Sequence, residues 1–327
     1  MPAQGRLRRH PGLPDRPPGA GERADPAAAF TGRRLKHCLV VANPAAGRRG
    51  SSYVQAVVDA LRTHGVEVEV YETTAPGDAT ATLRARGELP PVVIAAGGDG
   101  TVNEVLNGIA GRDVTLGLIP AGTTNVLATE LGYPASATDV ARVLARHHER
   151  NVHFAEVNGR RFAMMVGVGY DAWVVAGVNP GTKKRFGKVA YVLSMLAQLR
   201  AVGSQRYRAV CDGVPHEVAS AIVTNGKHYA GSYILARQAD IATPALEAVL
   251  IAPVSRLRFL GMLFLLPLGV ASQLPFVQVV RATEIRIENA ATPDLHARDP
   301  VQADGDTIGA MPVHIRSEPL PSRVIVP

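Results

Sequence analysis

Cysteine is scarce in this sequence, which has only Cys38 and Cys211 among its 327 residues. Neither has a second cysteine at the spacing of a metal site, and the ten histidines also show no ligand spacing. These absences argue against a zinc centre and against the disulfide framework that small secreted proteins use. We therefore expect two buried thiols in a reducing compartment, and histidines that are structural or solvated.

Long apolar segments are missing as well. The most apolar stretch, residues 257–268, is too short to span a bilayer and is broken by Arg258 and Pro267. We interpret it as a core helix, and the alternative is an interfacial element or a wall for an acyl chain. The N-terminal region lacks the apolar core of a secretory signal, so we expect a cytoplasmic protein.

Charge is concentrated near the N-terminus. The sequence has 35 basic and 28 acidic side chains, a net charge of +7, and residues 1–37 contain eight of the former and three of the latter. Residues 1–36 are also rich in proline and glycine without apolar periodicity, which predicts a disordered basic leader. The remaining chain is nearly neutral, and we expect no nucleic-acid partner.

One glycine turn organises the first half of the chain. An apolar run over residues 92–96 predicts a buried strand, and residues 102–109 carry apolar side chains at helical spacing. The turn between them reads Gly97-Gly98-Asp99-Gly100-Thr101. Glycines let the backbone come close to a ligand, and the helix start that follows attracts phosphate. Because Asp99 would repel phosphate directly, it indicates a divalent cation or a positioned hydroxyl between them, and hence a nucleotide with its metal.

Two further turns follow the same plan. The strand over residues 38–42 ends in Asn43-Pro44-Ala45-Ala46-Gly47, and the strand over residues 115–120 ends in Ala121-Gly122-Thr123-Thr124-Asn125. Strand ends of a parallel sheet converge on one crevice, which favours nucleotide binding, although Thr and Asn at a helix start can also act only as caps. Arg48 and Arg49 either meet phosphate or lie in a solvated loop. The alternation of strands and helices predicts a parallel α/β domain over residues 37–150.

The pattern changes after Arg150. Asn158-Gly159 and Asp212-Gly213 each separate two apolar runs, 152–157 from 161–166 and 205–211 from 216–224, which predicts two hairpins. Short strands are predicted at 232–236, 246–251, 284–288, 295–298 and 312–316, and helices at 187–199 and 257–270. We therefore expect an antiparallel β-sandwich domain over residues 151–327.

Taken together, the motifs resemble a known family. They are Asn43-Pro44 with Gly47, the turn 97–101 with Asn103-Glu104, the turn 122–125, Gly169-Tyr170-Asp171-Ala172, Arg185-Phe186-Gly187-Lys188-Val189-Ala190-Tyr191 and Val301-Gln302-Ala303-Asp304-Gly305-Asp306. In this order they are similar to the diacylglycerol kinase, sphingosine kinase and ceramide kinase family, in its soluble bacterial branch. The resemblance covers residues from about Lys36 to Pro327.

The resemblance implies that ATP and a lipid alcohol meet in a cleft between the two domains, and that the chain from about Pro319 returns to the first domain. Asp99 and Asp304 are the implied catalytic residues, with Asp304 as general base and Asp306 where the family has glutamate. Asp171 is either a substrate-side carboxylate or a helix cap. The implied ATP-binding residues are Asn43, Gly47, Gly97, Gly98, Gly100, Thr101, Gly122, Thr123, Thr124 and Asn125.

The implied cofactors are ATP and the Mg²⁺ ion that accompanies it. We do not expect a structural magnesium site, because Thr243-Pro244 stand where many relatives have Asp-Gly. The expected activity is that of an ATP-dependent lipid kinase, cytoplasmic and transiently at the inner face of the membrane, with a lipid substrate and a peripheral membrane surface as partners. A homodimer is left open. The alternatives are an NAD kinase-like enzyme and a non-catalytic nucleotide-binding regulator.

Overall fold

The computed structural model describes residues 34–45, 50–178, 194–199, 202, 205–290 and 299–327. Several predictions fall outside these ranges. They concern residues 1–33 of the basic leader, Gly47 with Arg48 and Arg49, the motif 185–191, most of the helix predicted at 187–199, and the strand predicted at 295–298.

Six strands form the first sheet. They are β1 (His37–Ala42), β2 (Glu67–Glu72), β3 (Val92–Gly97), β4 (Thr115–Pro120), β5 (Glu149–Val152) and β20 (Ser322–Ile325), in the order β2-β1-β3-β4-β20-β5. The first five in that order run parallel, and β5 is antiparallel to β20. Every residue of β3 and β4 is buried, as expected for a parallel sheet covered on both faces.

Helices cover both faces of this sheet. They are α1 (Gly50–Thr63), α2 (Asp78–Ala85), α3 (Asp99–Gly108), α4 (Val126–Glu130) and α5 (Ala137–Arg146). Helices α1 and α5 pack on the face that carries Val40 and Ile94. Helices α2, α3 and α4 pack on the face that carries Val41 and Leu118. The buried stripe of α1 is the predicted one, Val54, Val57, Val58 and Leu61.

Two antiparallel sheets form the second half. One has the order β10-β9-β16-β19-β6-β7 and the other β15-β14-β11-β8-β17-β18. Their strands are β6 (Ala155–Val157), β7 (Arg160–Phe162), β8 (Met165–Val168), β9 (Tyr207–Cys211), β10 (Val214–Val218), β11 (Ser220–Thr224), β14 (Leu246–Ile251), β15 (Val277–Ala282), β16 (Glu284–Asn289), β17 (Pro300–Ala303), β18 (Asp306–Ala310) and β19 (Val313–Ser317). One apolar core draws residues from both sheets, so they form a sandwich. The predicted fold class is confirmed.

The remaining elements lie beside the sandwich. They are α6 (Tyr170–Ala176), α7 (Arg256–Leu265) and a small hairpin of β12 (His228–Tyr229) and β13 (Tyr233–Ile234). Both cysteines are buried free thiols, and burial raises the pKa of Cys38 to about 12.

Three predicted strands are divided differently in the structure. The run 161–166 separates into β7 and β8, which belong to different sheets, because the backbone N–H groups of Ala163 and Met164, between the two strands, donate to the Asp304 carboxylate. The run 216–224 likewise separates into β10 and β11. Val152 ends β5 in the first sheet and does not begin the sandwich. The apolar runs therefore predicted which residues are buried, but they did not predict which sheet each residue joins.

Helix α7 corrects the core-helix interpretation of residues 257–268. Phe259 and Met262 are buried, but Leu257, Phe264 and Leu268 are exposed at 79%, 74% and 67%. The helix thus buries only one side, and a single-turn 3-10 helix at Leu266–Leu268 follows it. Among the described residues no helix is long and apolar enough to cross a bilayer.

Strand β20 brings the end of the sequence into the first sheet. Val324 pairs with Leu116 of β4, and all four residues of β20 pair with β5. Ile325 is fully buried, and the Tyr133 hydroxyl donates a hydrogen bond of 2.7 Å to its carbonyl oxygen. This strand therefore joins β5 to the parallel strands.

We expect Ile325→Ala to lower the free energy of unfolding by about 2–5 kcal/mol, because it leaves a cavity in a fully packed region. Leu320→Ala is the control, since Leu320 is 79% exposed and its loss should change stability by less than about 0.5 kcal/mol. Urea denaturation measures both values. Equal stabilities of the two variants would contradict a packed role for β20.

Candidate active site

Two of the three glycine turns pack backbone against backbone at the carboxyl edge of the first sheet. The N–H groups of Ala121 and Gly122 donate to the Gly97 carbonyl oxygen at 3.0 and 3.1 Å. A Cβ atom placed on Gly122 would lie 2.4 Å from the Cα of Gly98, so no side chain fits there. The first turn joins them through the Asn43 amide, which lies 3.4 Å from the Thr101 hydroxyl. The structure thus brings the described residues of all three predicted turns together.

Asp99 connects the second turn to the third. Its carboxylate accepts a hydrogen bond of 2.6 Å from the Thr124 hydroxyl and one of 2.6 Å from the Val126 N–H. The second bond caps α4, so the side-chain cap of this helix comes from Asp99 and not from the Asn125 side chain. Asp99 is half-buried. Burial raises its pKa, and the neighbouring Asp304 charge raises it further.

Asn125 and Thr123 have different surroundings within the third turn. Asn125 has a left-handed backbone, and its side chain exchanges two hydrogen bonds of 2.9 Å with the backbone of Gly122. It therefore fixes the shape of the turn. Thr123 is exposed, while Gly98 and Gly100 are half-buried.

Asp304 lies in the β17–β18 turn and faces α3. It adopts a left-handed backbone, followed by Gly305, as in other Asp-Gly hairpin turns. One carboxylate oxygen accepts from Asn103 Nδ2 at 2.8 Å and from the Ala163 N–H at 2.7 Å. The other accepts from the N–H groups of Met164 and Met165 at 2.8 and 3.1 Å. These four donors occupy the usual acceptor capacity of a carboxylate. Burial raises the pKa of Asp304, and the hydrogen bonds oppose that rise.

Asn103 is a residue whose role the sequence did not reveal. Its amide nitrogen also donates to the Arg161 carbonyl oxygen at 3.1 Å, and its Oδ1 accepts from Arg160 at 2.9 Å. Asn107, one turn later on α3, exchanges hydrogen bonds with the backbone of Arg161. Both asparagines are buried. Two amides four residues apart lie on the same face of a helix, and that spacing is the signal that could have identified this contact.

Asp306 is the first residue of β18, and its carboxylate lies beside the start of α3. A Cβ atom placed on Gly100 would lie 2.9 Å from one of its carboxylate oxygens. Magnesium that accompanies a nucleotide is held by phosphate oxygens and one or two carboxylates, and Asp99 and Asp306 fit that donor set. Within the described part of the chain, no group of three or more His, Cys, Asp or Glu side chains is arranged to hold a metal ion.

Asp171 lies behind the turns on α6. Its carboxylate accepts from the Tyr229 hydroxyl and, at 2.6 Å, from the amide of Gln302. The side-chain Oε1 of Gln302 accepts from the Gly305 N–H at 2.9 Å, so Asp171 is coupled to the turn of Asp304. Gly169, and not Asp171, occupies the cap position of α6, which corrects the helix-cap alternative. Burial raises the pKa of Asp171.

A parallel α/β sheet whose glycine turns face an antiparallel sandwich defines a two-domain class of protein. Residues 37–157 match the diacylglycerol kinase catalytic domain, and residues 164–326 match the YegS C-terminal NAD kinase beta sandwich-like domain. The chain therefore belongs to the diacylglycerol kinase family, in the branch that joins these two domains, and the resemblance drawn from the motifs is confirmed.

Individual relatives agree with this assignment. The chain is 31% identical over 220 residues to a Pseudomonas aeruginosa protein named probable lipid kinase YegS-like. The matched segment covers 65% of this chain and 72% of that protein. It is 33% identical over 184 residues to a diacylglycerol kinase of Bacillus subtilis. That match covers 55% of this chain and 61% of the Bacillus subtilis protein. The chain therefore matches about three fifths of the length of the latter.

A solved structure shares the fold. A diacylglycerol kinase from Bacillus anthracis superposes with a TM-score of 0.72 and 23% identity, over 90% of this chain and 98% of that one. At this identity the likeness shows the fold alone.

We expect Asn103→Ala to lower the free energy of unfolding by about 1–3 kcal/mol, because it removes a buried donor to Asp304 and leaves polar groups without partners. Asn151→Ala on β5 is the control, since Asn151 is exposed. Chemical denaturation compares the two. A loss no greater than that of the control would mean that Asn103 does not hold the two halves together.

Proposed function

We propose that this protein is an ATP-dependent lipid kinase. It would transfer the γ-phosphoryl group to the hydroxyl of a membrane lipid such as diacylglycerol or a sphingoid or ceramide lipid. Family membership and the names of the relatives support a lipid kinase. The observation that supports ATP binding is the contact between the two glycine turns at the start of α3, which Asp99 holds together by hydrogen bonds.

The arrangement suits phosphoryl transfer, which relies mainly on positioning and on neutralising charge. The glycine turn at Gly98 leads directly into α3 at the carboxyl edge of the first sheet, and the positive end of the α3 dipole favours phosphate there. Asp99 holds the second and third turns in register. Asp99 and Asp306 would hold the Mg²⁺ ion that accompanies ATP, and that ion would supply positive charge to the phosphate oxygens.

Asp304 is the residue that we propose as proton acceptor for the lipid hydroxyl. Since its four acceptor positions are occupied by protein donors, the hydroxyl must replace one of them. Three of these donors are backbone groups of the sandwich, whereas the Asn103 amide belongs to α3. A small shift of α3 on nucleotide binding would therefore free an acceptor position on Asp304.

Incubation of the protein with radiolabelled ATP and a total lipid extract tests the activity, and we expect label in a lipid band. Asp99→Ala should abolish that label, because it loosens the third turn and removes a carboxylate near the phosphates. The variant also loses a helix cap worth about 1 kcal/mol, so its melting temperature must be compared. Asp113→Ala, at an exposed ion pair, is the control.

Three results of this assay would count against the proposal. Label in a nucleotide and not in lipid would favour an NAD kinase-like enzyme. ATP binding without transfer to any acceptor would favour the regulator. Near wild-type turnover by folded Asp99→Ala would refute the role of Asp99.

We expect Asp304→Asn to reduce kcat by roughly 100-fold or more while the KM for ATP stays similar, because the amide cannot accept the hydroxyl proton. Steady-state kinetics with the lipid acceptor measures both values. The amide nitrogen would also face N–H donors, so some loss of stability is expected and the assay must run below the melting temperature of the variant.

Asp212→Asn is the matched control, since Asp212 occupies an equivalent Asp-Gly turn with a left-handed backbone and accepts backbone N–H groups away from the site. Its kcat should remain normal. A normal kcat for Asp304→Asn would remove Asp304 as the base. Loss of ATP binding would show that Asp304 maintains the nucleotide half instead.

A further inference from the structure

An exposed apolar surface lies outside the candidate active site. It consists of Leu257, Phe264 and Leu268 along α7 and the turn that follows it, with Tyr233 and Ile234 of β13, and we call it the apolar patch. The residues of β13 are exposed at 38% and 36%. The two elements adjoin, because a Cβ atom placed on Gly269 would lie 3.5 Å from the Cβ of Ile234.

The outer face of α7 has no polar residue between Arg258 and the end of the helix. Leu257, Gly261, Phe264 and Leu268 are spaced by four, three and four residues, and all of them are exposed. The opposite face, including Phe259, is buried. A surface helix in water normally presents polar side chains there, so this face is suited to an apolar environment.

The charges around the patch are positive. Arg256 and Arg258 flank the stripe at the start of α7, and Arg258 also lines a depression of about 420 Å³ with Arg206. The sequence has no acidic residue between Glu247 and Glu284, a segment that contains all of α7 and β15. This combination of apolar and cationic surface complements a bilayer that carries anionic head groups.

We propose that the apolar patch docks on an anionic phospholipid bilayer, with Leu257, Phe264 and Leu268 in the interfacial region and Arg256 and Arg258 at the head groups. The inference rests on the proposed function, because a kinase of membrane lipids must reach its acceptor there. A second copy of the chain fits less well. A ten-residue helix is about 15 Å long, so a symmetric contact would bury far less than the roughly 1,200 Å² typical of stable interfaces.

The patch is connected to the candidate site by two elements. Phe259 of α7 packs edge-on against Tyr170 of α6, with ring centroids 4.6 Å apart, and the next residue is Asp171. The β12–β13 hairpin contacts the same carboxylate through the Tyr229 hydroxyl. A Cβ atom on Gly231 of that hairpin would lie 4.0 Å from a methyl group of Thr124. Docking through the patch would therefore place the bilayer on elements that contact the site.

Vesicle sedimentation with the full chain tests the proposal. We expect Leu257→Ser/Phe264→Ser to weaken binding to phosphatidylcholine vesicles that contain phosphatidylglycerol by about tenfold or more. The control is Leu320→Ser/Val214→Ser, at residues exposed at 79% and 56%, and its binding should match wild type. Residues 1–36 are present in every variant, so their contribution cancels.

Charge variants give a second, independent measurement. Arg256→Gln/Arg258→Gln should weaken binding to the vesicles with phosphatidylglycerol by roughly tenfold at low salt, and should change binding to pure phosphatidylcholine little. Equal binding by wild type, Leu257→Ser/Phe264→Ser and Arg256→Gln/Arg258→Gln would overturn the proposal. So would a wild-type dimer, seen by sedimentation, that dissociates in Leu257→Ser/Phe264→Ser while vesicle binding stays the same.

The docking proposal and the proposed function can fail separately. Vesicle binding is measured without ATP, so a specific loss in the patch variants supports docking whether or not any lipid is phosphorylated. Turnover of a short-chain diacylglycerol dissolved as monomers tests the kinase without a bilayer. Loss of turnover on vesicles by the patch variants, with turnover of the dissolved lipid retained, would support both.

Discussion

The fit between the two halves of the molecule depends on satisfying one desolvated carboxylate. Asp304 reaches from the sandwich to α3, and its oxygens take donors from both sides, three from the backbone at 163–165 and one from Asn103. A buried carboxylate without such partners would be strongly unfavourable, so the halves must meet in the register that supplies them. The register of β7 and β8 and the position of α3 against them follow from this requirement.

The same logic extends to the glycine turns. Asp99 fixes the second turn to the third, and the absence of side chains at Gly98 and Gly122 lets their backbones touch. Asp171 and Gln302 then support the Asp304 turn from behind. The carboxylates of Asp99, Asp171 and Asp304 are therefore held by neutral donors, namely hydroxyl, amide and backbone N–H groups. Burial raises the pKa of each of these three carboxyl groups, and the hydrogen bonds oppose that rise.

Much of the fold could be predicted from the sequence, because apolar runs and helical spacing depend on local burial alone. Val54, Val57, Val58 and Leu61 identified the buried face of α1, and Asn158-Gly159 identified a hairpin. The turns at Gly98 and Gly122 were recognisable for the same reason. What could not be predicted depends on partners distant in sequence. The division of 161–166 between two sheets requires Asp304, and the cap of α4 by Asp99 requires a contact across two strands.

The candidate site could also be predicted only in part. Asp99, Asp304 and the described turn residues lie together as the motifs suggested, but their hydrogen-bond partners were invisible in a linear pattern. Asn103 looked like one member of a motif and is the contact between α3 and the sandwich. Residues 257–268 looked like core because hydropathy reports composition and not which side of a helix faces solvent.

The position of β20 has a consequence for biosynthesis. Tyr133 and Ile325, which share a hydrogen bond, are 192 residues apart in sequence. Until the ribosome has released that distant segment, β4 presents an unpaired edge and β5 has no neighbour in the sheet. Pairing between such distant segments is slow, and an open strand edge invites association with other chains. The first sheet can therefore be completed only after the sandwich has been synthesised, although its first strand leaves the ribosome early.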